Sequence, residues 1–298
     1  MKQVGNFRMK KNRIFSYIII LLVYILASTI GIIVYKNIDY SFWLNLLIAD
    51  IVATIVVFIF SLILNNASVY DPYWSVQPIV IIWGVLLCNN IKLSGLSFSI
   101  VITLWGLRLT INWAYTFKNL YTQDWRYVML KEKTKAFYPI INFIGIHMVP
   151  TLVVYCCVLP ACYVIKNQVS INILMIIFLI ISITAFTIQG LADIQMHRFK
   201  KQKRSGFIRD GLWKYSRHPN YFGEILMWWG IGLASIFSLP SHIYLILGAV
   251  LNTLLFLFVS IPMADKRNEK RGDMVKLKKE TRMLLPIKKG SVKISTER

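Results

Sequence analysis

Long apolar segments alternate with short polar connectors along most of the chain. A helix of about twenty predominantly apolar residues crosses a bilayer, and eight segments approach that length. They are 14–35, 43–64, 76–91, 97–117, 138–165, 171–192, 221–238 and 242–262. The third segment is the shortest of the eight. This pattern predicts an all-α, polytopic transmembrane helix bundle of about eight spans, with seven spans as the alternative.

Positive charge is distributed unevenly between the connectors. If the N-terminus is cytoplasmic, the predicted inner segments hold 30 of the 34 Lys and Arg residues. The outer loops hold only Lys36, Lys92 and Lys166. Cytoplasmic connectors of membrane proteins carry an excess of Lys and Arg. The distribution therefore predicts eight spans with both termini in the cytoplasm, because seven spans would put the termini on opposite sides and remove the bias.

The composition agrees with a membrane protein. Apolar residues make up 56% of the 298 residues, and the mean hydropathy is +0.57. A formal net charge of +21 would point to nucleic acid in a soluble protein. Here the cations lie in clusters between apolar segments, as membrane orientation requires, so we expect no nucleic-acid partner. The four cysteines form no CxxC pair and no His cluster has metal-ligand spacing, so we expect no metal site either.

Asp50, Arg108 and His147 are ionisable residues inside predicted spans. Such groups are costly in lipid and usually face the bundle interior or a watery cavity. Arg108 and Asn112 are four residues apart and therefore share a helix face. Arg108 is expected to serve a site or to pair with another polar group, with snorkelling towards the interface as the alternative.

Two predicted cytoplasmic connectors are richer in polar and aromatic residues than a plain connector needs. Segment 68–78 contains Asp71 and Tyr73 on either side of Pro72 and ends at a second proline, and segment 124–127 reads Asp-Trp-Arg-Tyr. The sixth span ends at Asp193, followed by a cationic run that includes Lys200. That carboxylate is either half of a helix-end ion pair or a ligand for a sugar hydroxyl, while the cations hold phosphates.

Segment 211–224 has the composition of a ligand-binding turn that enters a helix: Gly-Leu-Trp-Lys-Tyr-Ser-Arg-His-Pro-Asn-Tyr-Phe-Gly-Glu. Pro219 suits the first position of a helix, because its missing N–H would be unsatisfied there anyway. A helix N-terminus next to Arg217 and His218 favours an anion. Asn220 and Glu224 share one helix face. The alternative is an interfacial loop held by its aromatic side chains.

This segment resembles the signature of the steroid 5-alpha-reductase-like membrane superfamily, in its uncharacterised bacterial and fungal multi-span branch. The resemblance extends to Asp-Pro-Tyr-Trp-Ser (71–75), Trp-Gly-Leu-Arg-Leu (105–109), Asp-Trp-Arg-Tyr (124–127), Asp193 with Gln195, and the tail between Ser260 and Pro286. It implies one membrane domain over 65–288. The spans in 1–64 lie outside it, and 289–298 is predicted to be a disordered basic tail.

The resemblance also implies an activity and a site. Members of the superfamily with known chemistry are NADPH-dependent reductases of activated C=C bonds in steroids and related lipids. The implied cofactor-binding residues are Asp193, Lys200, Arg217, His218, Asn220, Tyr221, Glu224 and Arg267. By position in the motif, Asn220 and Glu224 hold the nicotinamide, while Asp193, Arg217 and the basic residues near Lys200 and Arg267 hold ribose and phosphates. The implied substrate is a lipid-like small molecule in the membrane.

Two positions depart from the family pattern. The steroid reductases hold the substrate carbonyl with a glutamate on an early span, and this chain has no glutamate before Glu132. Asp71 and Tyr73 are the candidate catalytic residues in its place, with Asp50 as a further candidate. The family also has a tyrosine in the tail where this chain has Leu277.

Two alternatives come from different classes. The first is an S-adenosylmethionine-dependent membrane methyltransferase, because the isoprenylcysteine and phospholipid methyltransferases share an Arg-His-Pro-x-Tyr turn that matches 217–221. Those enzymes commonly open the motif with Gly-Pro-Tyr, where this chain has Gly-Leu-Trp. The second is a non-catalytic membrane lipid-binding or transport protein. Transporters place their sites near the bilayer midplane, whereas the polar residues here concentrate on one face.

Overall fold

Helices make up the regular structure of the protein. A computed structural model describes residues 12–289, where no strand forms beyond the isolated pairing of Ser216 with Arg282. The helices are α1 (Arg13–Asn37), α2 (Phe42–Ile63), α3 (Tyr73–Leu87), α4 (Leu93–Thr116), α5 (Trp125–Thr134), α6 (Tyr138–Ile141), α7 (Val149–Lys166), α8 (Ile173–Lys201), α9 (Pro219–Ile236), α10 (Leu247–Leu255), α11 (Ile261–Asn268) and α12 (Met274–Glu280). Short 3-10 and π-helical turns connect several of them. The predicted all-α class is confirmed.

Six helical stretches of residues 12–289 are long and apolar enough to cross a membrane. They are Arg13–Asn37, Phe42–Ile63, Leu93–Thr116, Trp125–Lys166, Ile173–Lys201 and Pro240–Asn268. The predicted membrane protein is thus supported, but the predicted count of eight spans is not confirmed. Helix α3 has only 15 residues, and α9 has 18 and begins with polar residues. The termini, predicted to be cytoplasmic, lie outside the described residues.

One end of the bundle gathers connectors that the sequence predicts to be outer loops. The Lys92 ammonium donates a hydrogen bond to the Gln168 carbonyl, which joins the connectors that follow α3 and α7. Asn172 Nδ2 donates to Ser238 Oγ at 2.7 Å, which joins the start of α8 to the end of α9. Both α3 and α9 therefore reach this end of the bundle.

The opposite end gathers connectors that the sequence predicts to be cytoplasmic. Asn66 Nδ2, after α2, donates to the Leu120 carbonyl at 2.7 Å. The Asp124 backbone N–H, before α5, donates to Ser68 Oγ at 2.9 Å. These bonds tie together the connectors between α2 and α3 and between α4 and α5. The polar residues singled out in both connectors consequently lie at one end of the bundle.

Helices α8 and α9 are in close contact because two glycines of α9 carry no side chain. A Cβ atom on Gly223 would collide with the Ala185 carbonyl oxygen, and one on Gly230 would collide with the Ser182 side chain. The Ser182 hydroxyl also donates to the Met227 carbonyl at 3.1 Å. This contact brings the first turns of α9 against the second half of α8, where the polar side chains of both helices meet.

The basic tail folds back onto the predicted cytoplasmic end. Met274 and Leu277 of α12 are buried. Beyond α12, the Arg217 N–H donates to the Arg282 carbonyl at 3.0 Å, and the Arg282 N–H donates to the Tyr215 carbonyl at 2.8 Å. A short helix of the tail, α12, is therefore docked on this end of the bundle. The prediction of disorder for 289–298 falls, apart from Lys289, outside the described residues.

Candidate functional site

A cavity of about 430 Å³ lies at the predicted cytoplasmic end of the bundle. It is formed by the start of α5, the end of α8, the connector before α9, the start of α9, and α11 and α12. Its acidic and cationic lining residues are Asp124, Arg126, Lys200, Arg217, Asp265 and Arg267. The volume falls in the range of small-molecule sites, about 300–1,000 Å³. Four cations against two carboxylates favour an anionic ligand.

Asn220, on the first turn of α9, links the cavity to a partly buried ion pair. It lines the cavity, and its Nδ2 lies 3.4 Å from Asp193 Oδ1. Asp193 in turn accepts from Arg108 Nη1 at 2.9 Å. The Asn220 Oδ1 atom is buried and has no hydrogen-bond partner within residues 12–289. A buried acceptor of this kind is normally satisfied, so Asn220 is ready to accept a hydrogen bond from a ligand.

One wall of the cavity is fixed by Asp265 of α11. His218 Nε2 lies 2.8 Å from Asp265 Oδ1, and Arg217 Nε lies 3.8 Å from Asp265 Oδ2. Arg217 Nη1 also donates to the Thr281 carbonyl at 3.2 Å. The His218 ring stacks on Tyr221, with an interplanar angle of 4°. Cations and aromatic rings along this wall are thereby held in one arrangement.

Residues from α5 form another part of the lining. The Arg267 guanidinium lies over the Trp125 ring, 4.3 Å from its centroid, which is a cation–π contact. Arg126 Nε donates to Asp124 Oδ1 at 2.8 Å. The sequence singled out segment 124–127 but did not place Trp125 or Arg126 in the cofactor site. The sequence did not single out Asp265 either. The signal that could have indicated Asp265 was its position as an acidic residue directly before the cationic tail.

Glu224 lies behind the cavity, in the helix core. Its Oε2 accepts from Trp105 Nε1 at 2.9 Å and from Gln189 Nε2 at 2.7 Å. Its Oε1 accepts from Trp228 Nε1 at 2.9 Å. With 1% of its surface exposed, the carboxylate is stable there because three N–H donors replace water. It joins α4, α8 and α9 beneath the cavity.

Six of the eight residues predicted to bind a cofactor line this single cavity. They are Lys200, Arg217, His218, Asn220, Tyr221 and Arg267. The other two do not line it: Asp193 contacts the lining residue Asn220, and Glu224 lies in the core next to Gln189. The position that departs from the family pattern, Leu277, also lines the cavity.

The candidate catalytic residues Asp71 and Tyr73 lie outside the cavity lining. Asp71 accepts from the Tyr127 hydroxyl at 2.6 Å, and Tyr127 follows the lining residue Arg126. Burial raises the pKa of the Asp71 carboxyl to about 6, although the Arg126 charge and the Tyr127 hydrogen bond favour its ionised form. Tyr73 is 4% exposed and packs with its ring 5.6 Å from that of Tyr70.

Asp50, Arg108 and His147, which lie inside predicted spans, face the protein interior, as expected. Asp50 is buried and accepts from Gln77 Nε2 at 2.5 Å. His147 is buried, and its Nδ1 lies 3.0 Å from the Asn142 carbonyl. Arg108 pairs with Asp193. Arg108 was expected either to serve a site or pair with a polar group, or to extend towards the interface. The structure has the pairing with a polar group.

These features define a helical membrane protein with a polar, cation-lined cavity at one end of its bundle. The chain belongs to the DUF1295 family, described as proteins of unknown function, which matches residues 57–281. It is similar to the uncharacterized protein C594.04c of Schizosaccharomyces pombe, with 28% identity over 194 residues. That match covers 55% of this chain and 56% of the yeast protein, so the chain spans just over half of that relative. No solved structure matches.

Proposed function

We propose that this protein is an integral-membrane, NADPH-dependent reductase of an activated C=C bond in a lipid-like substrate of the steroid or isoprenoid type. The observation that carries the proposal is the cavity itself, which collects six residues of the predicted cofactor set around an amide acceptor on Asn220 that has no partner among residues 12–289. A dinucleotide combines phosphates with a carboxamide. It therefore needs cations for the phosphates and a hydrogen-bond acceptor for the carboxamide, and the cavity offers both. The family resemblance of segment 211–224 supports the same ligand.

The lining residues fit such a cofactor. Lys200, Arg217 and Arg267 would hold the phosphates, and Asn220 Oδ1 would accept a hydrogen bond from the nicotinamide amide. Asp193 would orient the Asn220 side chain through its contact with Nδ2. When bound, NADPH supplies the hydride. The protein's part is to hold the reacting carbon of the substrate against it and to exclude water.

Glu224 has a supporting part in this proposal. Both of its carboxylate oxygens already accept hydrogen bonds from side chains of three helices, at 2.7–2.9 Å. It would therefore position the first turns of α9 beneath the ligand. A direct bond from Glu224 to the nicotinamide would require one of these three donors to be displaced.

Asp71 and Tyr73 remain the proposed source of the proton that follows the hydride. A reductase of this type needs an acid that polarises the conjugated carbonyl and then protonates the product. The raised pKa of Asp71, about 6, means that this carboxyl holds a proton in part near neutral pH. Tyr127 connects it to α5, whose first residues line the cavity.

We also propose eight spans with both termini and the cavity on the cytoplasmic side, in the cell membrane if the source is bacterial. The charge distribution supports this topology, and so do α3 and α9, which both connect the two ends of the bundle. Residues 65–288 would form the reductase domain. A cytoplasmic cavity has direct access to NADPH, while the apolar outer surface gives access to a lipid substrate.

The proposal is tested by titrating purified protein in detergent with NADPH and, separately, with S-adenosylmethionine, using isothermal calorimetry. We expect NADPH to bind and S-adenosylmethionine not to bind. The reverse result would replace the reductase by the methyltransferase, whose Arg-His-Pro-x-Tyr turn also lines the cavity. Binding of neither ligand would favour a non-catalytic lipid-binding protein.

A further inference from the structure

A second cavity, of about 330 Å³, lies between the end of α2 and the segment that joins α5 to α6. It shares no lining residue with the first cavity. Helix α5 contributes to both, with Arg126 near its start lining the first cavity and Lys131 near its end lining the second. The second cavity thus lies at the same end of the bundle but forms a separate site.

Asn142 gives this cavity a polar group that could bind a ligand. It is 2% exposed, lines the cavity, and donates from Nδ2 to Ser61 Oγ at 3.3 Å. Its Oδ1 is buried without a hydrogen-bond partner within residues 12–289. Buried carbonyl oxygens of this kind are almost always paired in proteins. A ligand with a hydroxyl or amine group would satisfy this atom.

Two lysines set the charge of the cavity. Lys131 Nζ donates to Asn65 Oδ1 at 3.1 Å and lies 5.8 Å from the Tyr138 ring centroid. Lys135 lines the cavity as well, and none of the lining residues is acidic. Two uncompensated cations favour a ligand that carries an anionic group.

The backbone holds two of these residues in an unusual conformation. Asn65 has φ of 50° and Lys135 has φ of 45°, in the left-handed region that non-glycine residues rarely adopt. Only two other non-glycine residues within 12–289, Gln168 and Lys203, have positive φ. Asn adopts this region more readily than most residues, whereas a lysine such as Lys135 persists there only where the surrounding structure imposes it, often at binding sites.

Apolar side chains on the outer surface flank the cavity. Leu62 and Ile63 at the end of α2 are 46% and 66% exposed, and Phe137 and Ile140 on the other side are 70% and 56% exposed. In a membrane protein, such side chains contact lipid tails. A ligand that fits the whole site therefore combines an anion, a hydrogen-bond donor and long hydrocarbon chains.

We propose that this second cavity binds the headgroup of an anionic phospholipid. The phosphate would lie between Lys131 and Lys135, and a headgroup hydroxyl would donate to Asn142 Oδ1. The acyl chains would run along the exposed apolar side chains of α2 and α6. This site stands whether or not the first cavity binds NADPH, because the two cavities share no lining residue.

Thermal unfolding in detergent tests the proposal with three added probes: dioleoyl-phosphatidylglycerol, dioleoylglycerol and inorganic phosphate. We expect phosphatidylglycerol at saturation to raise Tm by about 5 °C, and the other two probes to leave it unchanged. The double variant Lys131→Gln/Lys135→Gln should lose this shift. The control Lys118→Gln/Lys133→Gln removes the same charge from exposed lysines of the same face that line neither cavity, and it should keep the shift.

Equal loss of the shift in both double variants would overturn the proposal, because it would reduce the effect to general charge attraction. A matching shift with inorganic phosphate, or with the uncharged dioleoylglycerol, would also overturn it. If the cavity double variant does not fold, the single variants Lys135→Gln and Lys133→Gln provide the same comparison. Lipid retained by each variant in native mass spectrometry gives a second readout.

Discussion

At the scale of single residues, Glu224 illustrates how a carboxylate is accommodated inside a helix bundle. Its two oxygens accept three N–H donors, and each donor comes from a large buried or partly buried side chain. A buried carboxylate without partners would cost several kcal/mol or become protonated. Trp105, Gln189 and Trp228 are the partners that hold Glu224. Trp105 and Gln189 are distant from Glu224 along the chain, which hid them from sequence reasoning, whereas Trp228 is one helical turn away on α9.

Variants of Asn220 and Glu224 should differ in what they lose. Asn220→Ala removes the proposed hydrogen bond to the cofactor, worth about 1 kcal/mol, so NADPH affinity should fall several-fold while Tm stays near the wild-type value. Calorimetric titration and thermal unfolding measure the two quantities. Asn167→Ala, at the opposite end of the bundle, is the control. Unchanged affinity of Asn220→Ala would remove Asn220 from the site.

Glu224→Gln should instead lower Tm. The new amide NH2 group faces either Trp228 Nε1 or the pair Trp105 Nε1 and Gln189 Nε2, so at least one N–H donor loses its acceptor. An unsatisfied buried polar group costs about 1–3 kcal/mol. Thermal unfolding in detergent measures this loss, and any loss of NADPH affinity should be accompanied by it. Wild-type Tm together with lost affinity would show that Glu224 contacts the cofactor directly.

Asp71 should make stability depend on pH. Its pKa in the folded protein is about 6, against an ordinary value of 3.8. The folded state therefore holds this proton more tightly, so the contribution is fully present below about pH 4. It is lost as pH rises through about 6, to an extent on the order of 3 kcal/mol. The Asp71→Asn variant cannot ionise at this position, so it does not show this pH-dependent loss of stability.

The expected result is that Asp71→Asn gains Tm relative to wild type as pH rises from 4 to 7, and that the difference is constant above that range. Thermal unfolding of both proteins in detergent at pH 4, 5, 6, 7 and 8 measures it. Asn keeps an acceptor for the Tyr127 hydroxyl, so the comparison isolates the charge. Parallel Tm profiles for the two proteins would contradict the raised pKa.

At the scale of helices, hydropathy located the apolar stretches but not the ends of all helices. The predicted sixth span ended at 192, whereas α8 continues to Lys201. Polar residues such as Asp193 and Lys200 are compatible with a helix, and the helix simply leaves the apolar layer. That extension brings Lys200 to the cavity lining. A pattern of apolar residues indicates which part of a helix is buried in lipid. It does not indicate whether the helix continues beyond the lipid.

The contact between α8 and α9 should be sensitive to a single methyl group. Gly223→Ala would place a Cβ against the Ala185 carbonyl and against Gln189, and overpacking of this kind costs about 1–3 kcal/mol. We expect a lower Tm and weaker NADPH binding, because the Gln189–Glu224 hydrogen bond depends on the same contact.

Gly84→Ala is the matched control for this prediction. Gly84 also lies within a helix, α3, and nothing lies within 4 Å of an added Cβ there. Alanine favours helix over glycine by about 1 kcal/mol, so this variant should keep or raise Tm in the same assay. A Gly223→Ala variant as stable as Gly84→Ala would show that α8 and α9 are less closely packed than the structure has them.

At the scale of the whole molecule, the proposed topology puts Cys88 on the outer side and Lys203 on the inner side. Cys88 is exposed and follows α3. A membrane-impermeant maleimide should therefore label Cys88 in intact bacterial cells, and Cys88→Ser should abolish the labelling. In that background, Lys203→Cys should be labelled only after the membrane is permeabilised. Labelling of Lys203→Cys in intact cells would contradict the topology.

The sequence by itself determined the membrane class, the all-helical architecture and the stretch around which the cavity forms. Apolar runs and charge clusters are local properties, and the residues of 217–221 are neighbours in the chain. Only the tertiary structure brought in Arg126 of α5 and Asp265 of α11, and it placed Glu224 behind the cavity and Asp71 outside its lining. Those positions depend on how the helices pack, because side chains distant in sequence meet only once glycine contacts and buried hydrogen bonds have set the spacing of the helices.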